Sequence, residues 1–140
     1  MADEGMAVLR GAMQVGRPGP YQIQAAIAAL HAEAERPQDT DWPQIAALYG
    51  VLVAVTPSPV VELNRAVAVA MADGPAMGLR QIDGLDDRLD GYHLFHATRA
   101  DLLRRLDRPQ EAAAAYERAL SLATNPVERS FLERRLGEVR

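Results

Sequence analysis

The chain has 140 residues with 15 basic and 19 acidic side chains, which give a formal net charge of -4. All basic residues are arginine, and the acidic balance argues against nucleic-acid binding as the main function. The absence of cysteine excludes disulfides and thiolate metal sites, and no apolar run is long enough to span a membrane. The length is typical of one domain (1–140), and the start lacks a signal-peptide pattern, so a cytoplasmic location is expected.

The chain begins with a weak helical pattern and then a clear break. Residues 2–14 predict a short helix in which Met6, Leu9 and Met13 share one stripe. A glycine inside this helix weakens it by up to roughly 1 kcal/mol. Proline and glycine at 17–20 then interrupt the chain. Because this first helix is so weak, we expect that further sequence precedes Met1.

Two longer helices are predicted next, over 20–36 and 41–55. The apolar face of the first carries Ile23, Ile27 and Leu30. Asp41 and Gln44 form a capping box at the start of the second. This second helix is almost wholly apolar, so it is expected to be the most buried, and Gly50 within it indicates a close helix crossing.

Proline marks the start of each of the following two helices, 59–72 and 75–84, and Ser58 is the expected cap of the first. One apolar stripe of helix 59–72 is predicted to pack inward. That stripe consists of Val60, Leu63, Val67 and Met71. The acidic stretch 83–90 is interpreted as a linker.

Residues 92–124 predict two antiparallel helices joined by a turn at 107–109. The packing positions are Leu94, Ala97, Ala100 and Leu103 on the first helix, and Ala112, Tyr116, Ala119 and Leu120 on the second. A last helix over 126–138 begins with a second capping box, Asn125 with Glu128, and is expected to be a solvated terminal cap.

The order of small residues, leucine, turn and aromatic residue in 92–124 resembles the tetratricopeptide repeat, a helical hairpin of about 34 residues. An offset of 34 superposes Arg65, Ala66, Pro75, Gly78 and Ile82 on Arg99, Ala100, Pro109, Ala112 and Tyr116. The resemblance implies an all-α fold of stacked antiparallel hairpins, at about 20–55, 59–84 and 92–124. It also implies a right-handed superhelix that ends in the capping helix.

Longer segments resemble a more specific family. YQIQAAIAALHAEA (21–34), DWPQIAALYGVL (41–52) and VVELNRAVAVAMADGP (60–75) are similar to the C-terminal extension of a group of bacterial, extracytoplasmic-function-type RNA polymerase sigma factors. HATRADLLRRL and ERSFLERR extend the resemblance. Sigma regions two and four, which bind promoter DNA and polymerase, are absent. The chain is therefore expected to be either an excised domain or a separate gene product.

This resemblance implies a regulatory domain that modulates transcription initiation through protein contacts. The expected partners are sigma regions, RNA polymerase or a regulatory protein, with no direct nucleic-acid contact. In tetratricopeptide arrays the first helix of each hairpin lines a concave groove. The candidate partner-binding residues are Tyr21, Gln24, His31, Asn64, Arg65, Asp101, Arg104 and Arg105. Val67 and Met71 lie in the same groove unless they belong to the core, and a structural role is favoured for Asn64 and Arg65.

No constellation in the sequence indicates catalysis, a cofactor or a metal. His93 and His96 are three residues apart, but a third ligand is not evident because Asp101 points away from His96 by about 140°. Phosphate loops, HExxH patterns and nucleophile elbows are absent. Two alternatives remain: a free-standing adaptor that binds a peptide or partner protein, and an enzyme or small-ligand binder with a pocket built from Tyr21, His31 and Asn64.

Overall fold

A computed structural model of the protein describes residues 19–140, and within that range it is all-helical without a strand. Seven helices have eight or more residues. They are α1 (Pro20–Glu33), α2 (Trp42–Val55), α3 (Pro59–Asp73), α4 (Pro75–Ile82), α5 (His93–Arg105), α6 (Pro109–Leu122) and α7 (Pro126–Val139). The expected all-α class is thus confirmed, whereas the helix predicted over 2–14 lies outside the described residues.

Each helix packs mainly against its neighbours in the chain. α1 packs on α2, α2 on α3, α3 on α4, α5 on α6 and α6 on α7. α5 also contacts α4 and α3, so the hairpin α5–α6 is joined to the hairpin α3–α4. The packing is therefore local along the sequence, as in a stack of helical hairpins.

Proline and side-chain caps define the helix starts. Five of the seven helices begin with proline at their first residue, where the missing N–H costs no hydrogen bond. At α2 the Asp41 carboxylate accepts from the Gln44 backbone N–H at 3.2 Å and from its side-chain amide at 2.7 Å. At α7 the Asn125 side chain accepts from the Val127 and Glu128 N–H groups. Ser58 occupies the expected cap position, but its side chain makes no capping hydrogen bond.

The two inter-helix turns related by the 34-residue offset differ in length, one residue after α3 and three after α5, and also in geometry. Gly74 alone joins α3 to α4, with a φ of 104° that favours glycine. After α5 the positive φ lies at Asp107, at 59°. There the N–H groups of Arg108 and Asp107 donate to the carbonyls of Leu103 and Arg104, as in a Schellman motif.

The stretch 83–90 is not a free linker. It forms a 3-10 turn, Asp83–Leu85, and one helical turn, Asp86–Leu89. Leu85 and Leu89 are buried in the core while the aspartates point outward. The prediction of a linker was based on the acidic composition of the segment and overlooked these two leucines, which pack in the core and hold the segment in place.

Among residues 19–140 the buried apolar side chains form two clusters. The smaller one joins α1 and α2 with Ala68 of α3. The larger one is built from α3 to α7 and contains Phe95 and Tyr116, which are 0% and 1% exposed. α3 lies between the clusters, because Leu63, Ala66 and Ala70 face the larger one.

In α3 and α5 the predicted stripe is partly wrong. Val60, Val67 and Met71 of α3 are 41%, 37% and 45% exposed, and Leu94 of α5 is 41% exposed. Alanines take three of the five buried positions of α3, since small side chains let neighbouring helices approach closely. α2 is also less buried than predicted: only Ile45, Leu48 and Leu52 are buried, because α1 and α3 contact only part of its circumference.

Positions related by the 34-residue offset occupy matching environments. Ala66 and Ala100 are both fully buried, and Ile82 and Tyr116 are at most 1% exposed. At Gly78 an added Cβ would lie 2.5 Å from the Ala70 Cβ and 3.0 Å from the Ala66 carbonyl oxygen. The α3–α4 contact is therefore too close for the alanine that the equivalent position in α6 carries.

Candidate docking groove

One depression lies between α3 and α5 and has a volume of about 240 Å³. Its wall consists mainly of Val67, Met71, Ala97, Asp101, Leu102 and Arg105. Val67 and Met71 belong here because the alanines of α3 take the positions that face the core. These two residues and the pair Asp101 and Arg105 were predicted to share a groove, and they line the same depression.

A second depression, of about 340 Å³, lies between α5 and α7. Its apolar wall consists of Leu94, Ala97, Val127, Phe131 and Leu132. Ala97 contributes to both depressions, so they meet at this residue. We call the combined surface the α3–α5–α7 groove.

The part of this groove on α7 was missed by sequence analysis. α7 buries Leu132 and Leu136, and the four-residue spacing places Val127 and Phe131 on another stripe. Val127 is 79% exposed and Phe131 is 47% exposed. The helix that was expected to be a solvated cap is therefore polar on only part of its surface. The sequence did contain a signal for this exposed apolar stripe, namely two apolar residues outside the stripe that faces the core.

Charges at the α3 end of the groove differ in how firmly they are paired. The Arg104 guanidinium donates a hydrogen bond to the Asp101 carboxylate, and this bond raises the pKa of Arg104. Arg105 lies 4.0 Å from the other Asp101 oxygen and 3.8 Å from the Met71 sulfur. Asp101 thus neutralises Arg104 first, which leaves Arg105 as the cation available at the groove edge.

Arg104 also faces the interior. Burial raises the pKa of the Tyr116 hydroxyl above its ordinary value of 10.0, and the positive charge of nearby Arg104 opposes this shift. The aromatic ring of Tyr116 is fully buried in the larger cluster. Arg104 therefore connects the groove edge to the core, whereas Arg105 does not.

The two histidines of α5 have separate structural partners. His93 Nε2 lies 2.7 Å from a carboxylate oxygen of Glu128, which joins α5 to α7 across the groove. His96 is 8% exposed, and its Nε2 lies 2.7 Å from the Asp90 carbonyl oxygen. Within residues 19–140 no three histidine, cysteine, aspartate or glutamate side chains are grouped to hold a metal ion.

The predicted site residues on α1 lie outside the two depressions. Tyr21 is 86% exposed, and Gln24 is also exposed. His31 lies at the surface with its ring edge-on to Trp42 at a centroid distance of 5.4 Å. The structure therefore does not bring these three residues together with Asp101 and Arg105.

Asn64 and Arg65 also differ from the rest of the predicted set. Asn64 is exposed, so it does not interrupt a buried face. The Arg65 guanidinium packs over Gly50 of α2, where an added Cβ would lie 3.5 Å from its nearest nitrogen. The glycine in α2 thus makes room for this arginine, and the close approach expected at Gly50 is made by a side chain of α3.

The comparisons with known proteins show one clear relationship. The chain is 51% identical over 139 residues to an uncharacterized protein of Rhizobium meliloti (strain 1021). The alignment covers 99% of this chain and 33% of that protein, so the chain spans about one third of its relative's length. No family model matches the chain. In the part of the chain from residue 19 onward, no helix is long and apolar enough to cross a membrane.

Proposed function

We propose that this chain is a regulatory, protein-docking domain of the kind that follows the sigma regions in certain bacterial sigma factors. In this proposal the hairpins form a tetratricopeptide-like right-handed superhelix, and the α3–α5–α7 groove binds sigma regions, RNA polymerase or a regulatory partner. The observation that carries it is the set of exposed apolar side chains on three helices. Monomeric proteins rarely leave such neighbouring apolar surface without a partner.

Two further observations support the proposal. The local packing order of the helices is the one that stacked hairpins require. The relative from Rhizobium meliloti has roughly two further thirds of sequence beside its matched third, which leaves room for sigma regions. A free-standing adaptor would use the same groove, so the identity of the partner separates the two functions.

The test is binding of the chain to purified sigma regions two and four and to core polymerase from the same bacterium. We expect Arg105→Glu and Phe131→Asp to weaken this binding at least about fivefold, because a central contact is worth more than about 1 kcal/mol. Arg80→Glu is the matched control, since Arg80 is exposed on α4 and lies outside the groove. Surface plasmon resonance measures all four proteins.

Both variants should melt within a few degrees of the parent chain, because Arg105 and Phe131 are exposed. If neither the sigma regions nor the polymerase binds to the parent chain, the proposed function is wrong. If the partner is retained equally by all variants, the domain docks through another surface.

A further inference from the structure

Two half-buried arginines in the described part of the chain, Arg65 and Arg99, have neither an ion pair nor a hydrogen-bond partner. They are equivalent under the 34-residue offset. Arg65 packs over Gly50, which explains its position. The residue equivalent to Gly50 is Gly84, and nothing lies within 4 Å of a Cβ added there, so Arg99 has no comparable packing role.

Arg99 instead lines a crevice between α5 and α6, which has a volume of about 340 Å³. The crevice is separate from the α3–α5–α7 groove, because no residue lines both. The Arg99 Nε is buried without a partner, and a buried donor that stays unsatisfied is unfavourable. Since this Nε has almost no accessible surface, a ligand in the crevice would bind through the terminal nitrogens of the Arg99 guanidinium.

The acids that line the crevice are already paired with other cations. The Asp90 carboxylate lies 3.3 Å from Arg118, and the Asp90 carbonyl oxygen lies 2.7 Å from His96. The Glu111 carboxylate accepts two hydrogen bonds from the Arg108 guanidinium. Arg99 is therefore the cation in this crevice whose charge remains uncompensated.

From these contacts we infer that the crevice binds a carboxylate, with Arg99 as its principal partner. Arginine presents two N–H groups in a fork that matches the two oxygens of a carboxylate. The nearby Asp90 and Glu111 carboxylates oppose a phosphate dianion more strongly than a monoanion. Leu103, Ala114 and Ala115 supply an apolar wall, so the bound acid carries a short aliphatic portion.

The experiment is a titration of the ¹⁵N-labelled 140-residue chain followed by NMR, including the Arg99 Nε–H resonance. The probes are sodium butanoate, a capped glutamyl peptide and inorganic phosphate, each against sodium chloride at equal ionic strength. We expect saturable shifts at Arg99, Ala114 and Ala115 with a carboxylate, and weaker binding of phosphate. Tighter binding of butanoate identifies a free acid as the ligand, and tighter binding of the peptide identifies a protein side chain.

Arg99→Gln should weaken carboxylate binding at least about tenfold, because it removes a charge-assisted fork. Arg65→Gln is the matched control and should leave binding unchanged. The absence of saturable shifts in the parent chain, tighter binding of phosphate, or unaltered binding by Arg99→Gln would each overturn the inference. If Arg99→Gln fails to fold, the titration of the parent chain still decides, because it observes the Arg99 N–H directly.

Discussion

Tyr116 is the largest fully buried side chain of the described residues and contacts the larger core cluster. Tyr116→Ala should therefore lower the free energy of unfolding by about 3–5 kcal/mol, the usual cost of removing a buried aromatic side chain. Urea denaturation measures this change. Tyr21→Ala is the control, because Tyr21 is 86% exposed and its replacement should change stability by less than about 0.5 kcal/mol. A small effect at Tyr116 would contradict the repeat register.

The raised pKa of Tyr116 also predicts a dependence of stability on pH. The unfolded chain ionises this hydroxyl near its ordinary pKa of 10.0, whereas the folded protein keeps it neutral to higher pH. The resulting stability is present below pH 10 and is lost as the pH rises through the folded pKa. Denaturation midpoints between pH 9 and pH 11 should fall less for Tyr116→Phe than for the parent chain. Tyr49, whose pKa burial also raises, contributes equally to both proteins.

The roles of individual residues were predictable from sequence where they depend on adjacent residues in the chain. They were not predictable where they depend on residues that come close only in the fold. Asn125 and Asp41 cap their helices as expected, because capping depends on residues within three positions. The positions of Arg65 and Arg99 could not be separated from sequence, since both follow the same repeat pattern. Their difference arises from Gly50 and Gly84, which lie on other elements.

Among the elements, α3 and α4 approach each other closely at Gly78. Gly78→Ala should destabilise the protein by about 1–3 kcal/mol, because the new methyl group would collide with Ala70 and force the helices apart. Gly137→Ala is the matched control in α7, where nothing lies within 4 Å of an added Cβ. That change should raise stability by up to about 1 kcal/mol through helix propensity. Thermal melting of both variants gives the comparison, and stabilisation by Gly78→Ala would contradict the observed contact.

The starts of the helices were predictable, but the faces they bury were not. Proline and capping residues mark the starts locally, so α3 and α6 begin at Pro59 and Pro109 as predicted. α3 is apolar around most of its circumference, so its periodicity could not show which stripe faces inward. Side-chain size determined which stripe faces inward. Alanines lie at the contacts with neighbouring helices, whereas Val67 and Met71 are exposed and line the groove.

At the scale of the whole molecule, the two clusters differ in size. Counting only the described residues, the cluster around α1 and α2 has far fewer buried residues than the one built from α3 to α7. We therefore expect backbone amides of α1 and α2 to exchange with solvent at a lower free energy of opening than those of α5 and α6. Native-state hydrogen exchange measured by mass spectrometry tests this order. Equal protection of all helices would show that the clusters unfold as one unit.

The alanine interior of α3 constrains how the protein can change over evolution. A residue larger than alanine at Ala66 or Ala70 would press on a neighbouring helix, so few substitutions are tolerated there. Val67 and Met71, one position further along the same helix, can be replaced with little effect on folding because they are exposed. We therefore expect the buried alanines of α3 to be kept in homologous proteins, whereas the exposed groove residues, and with them the choice of binding partner, can vary.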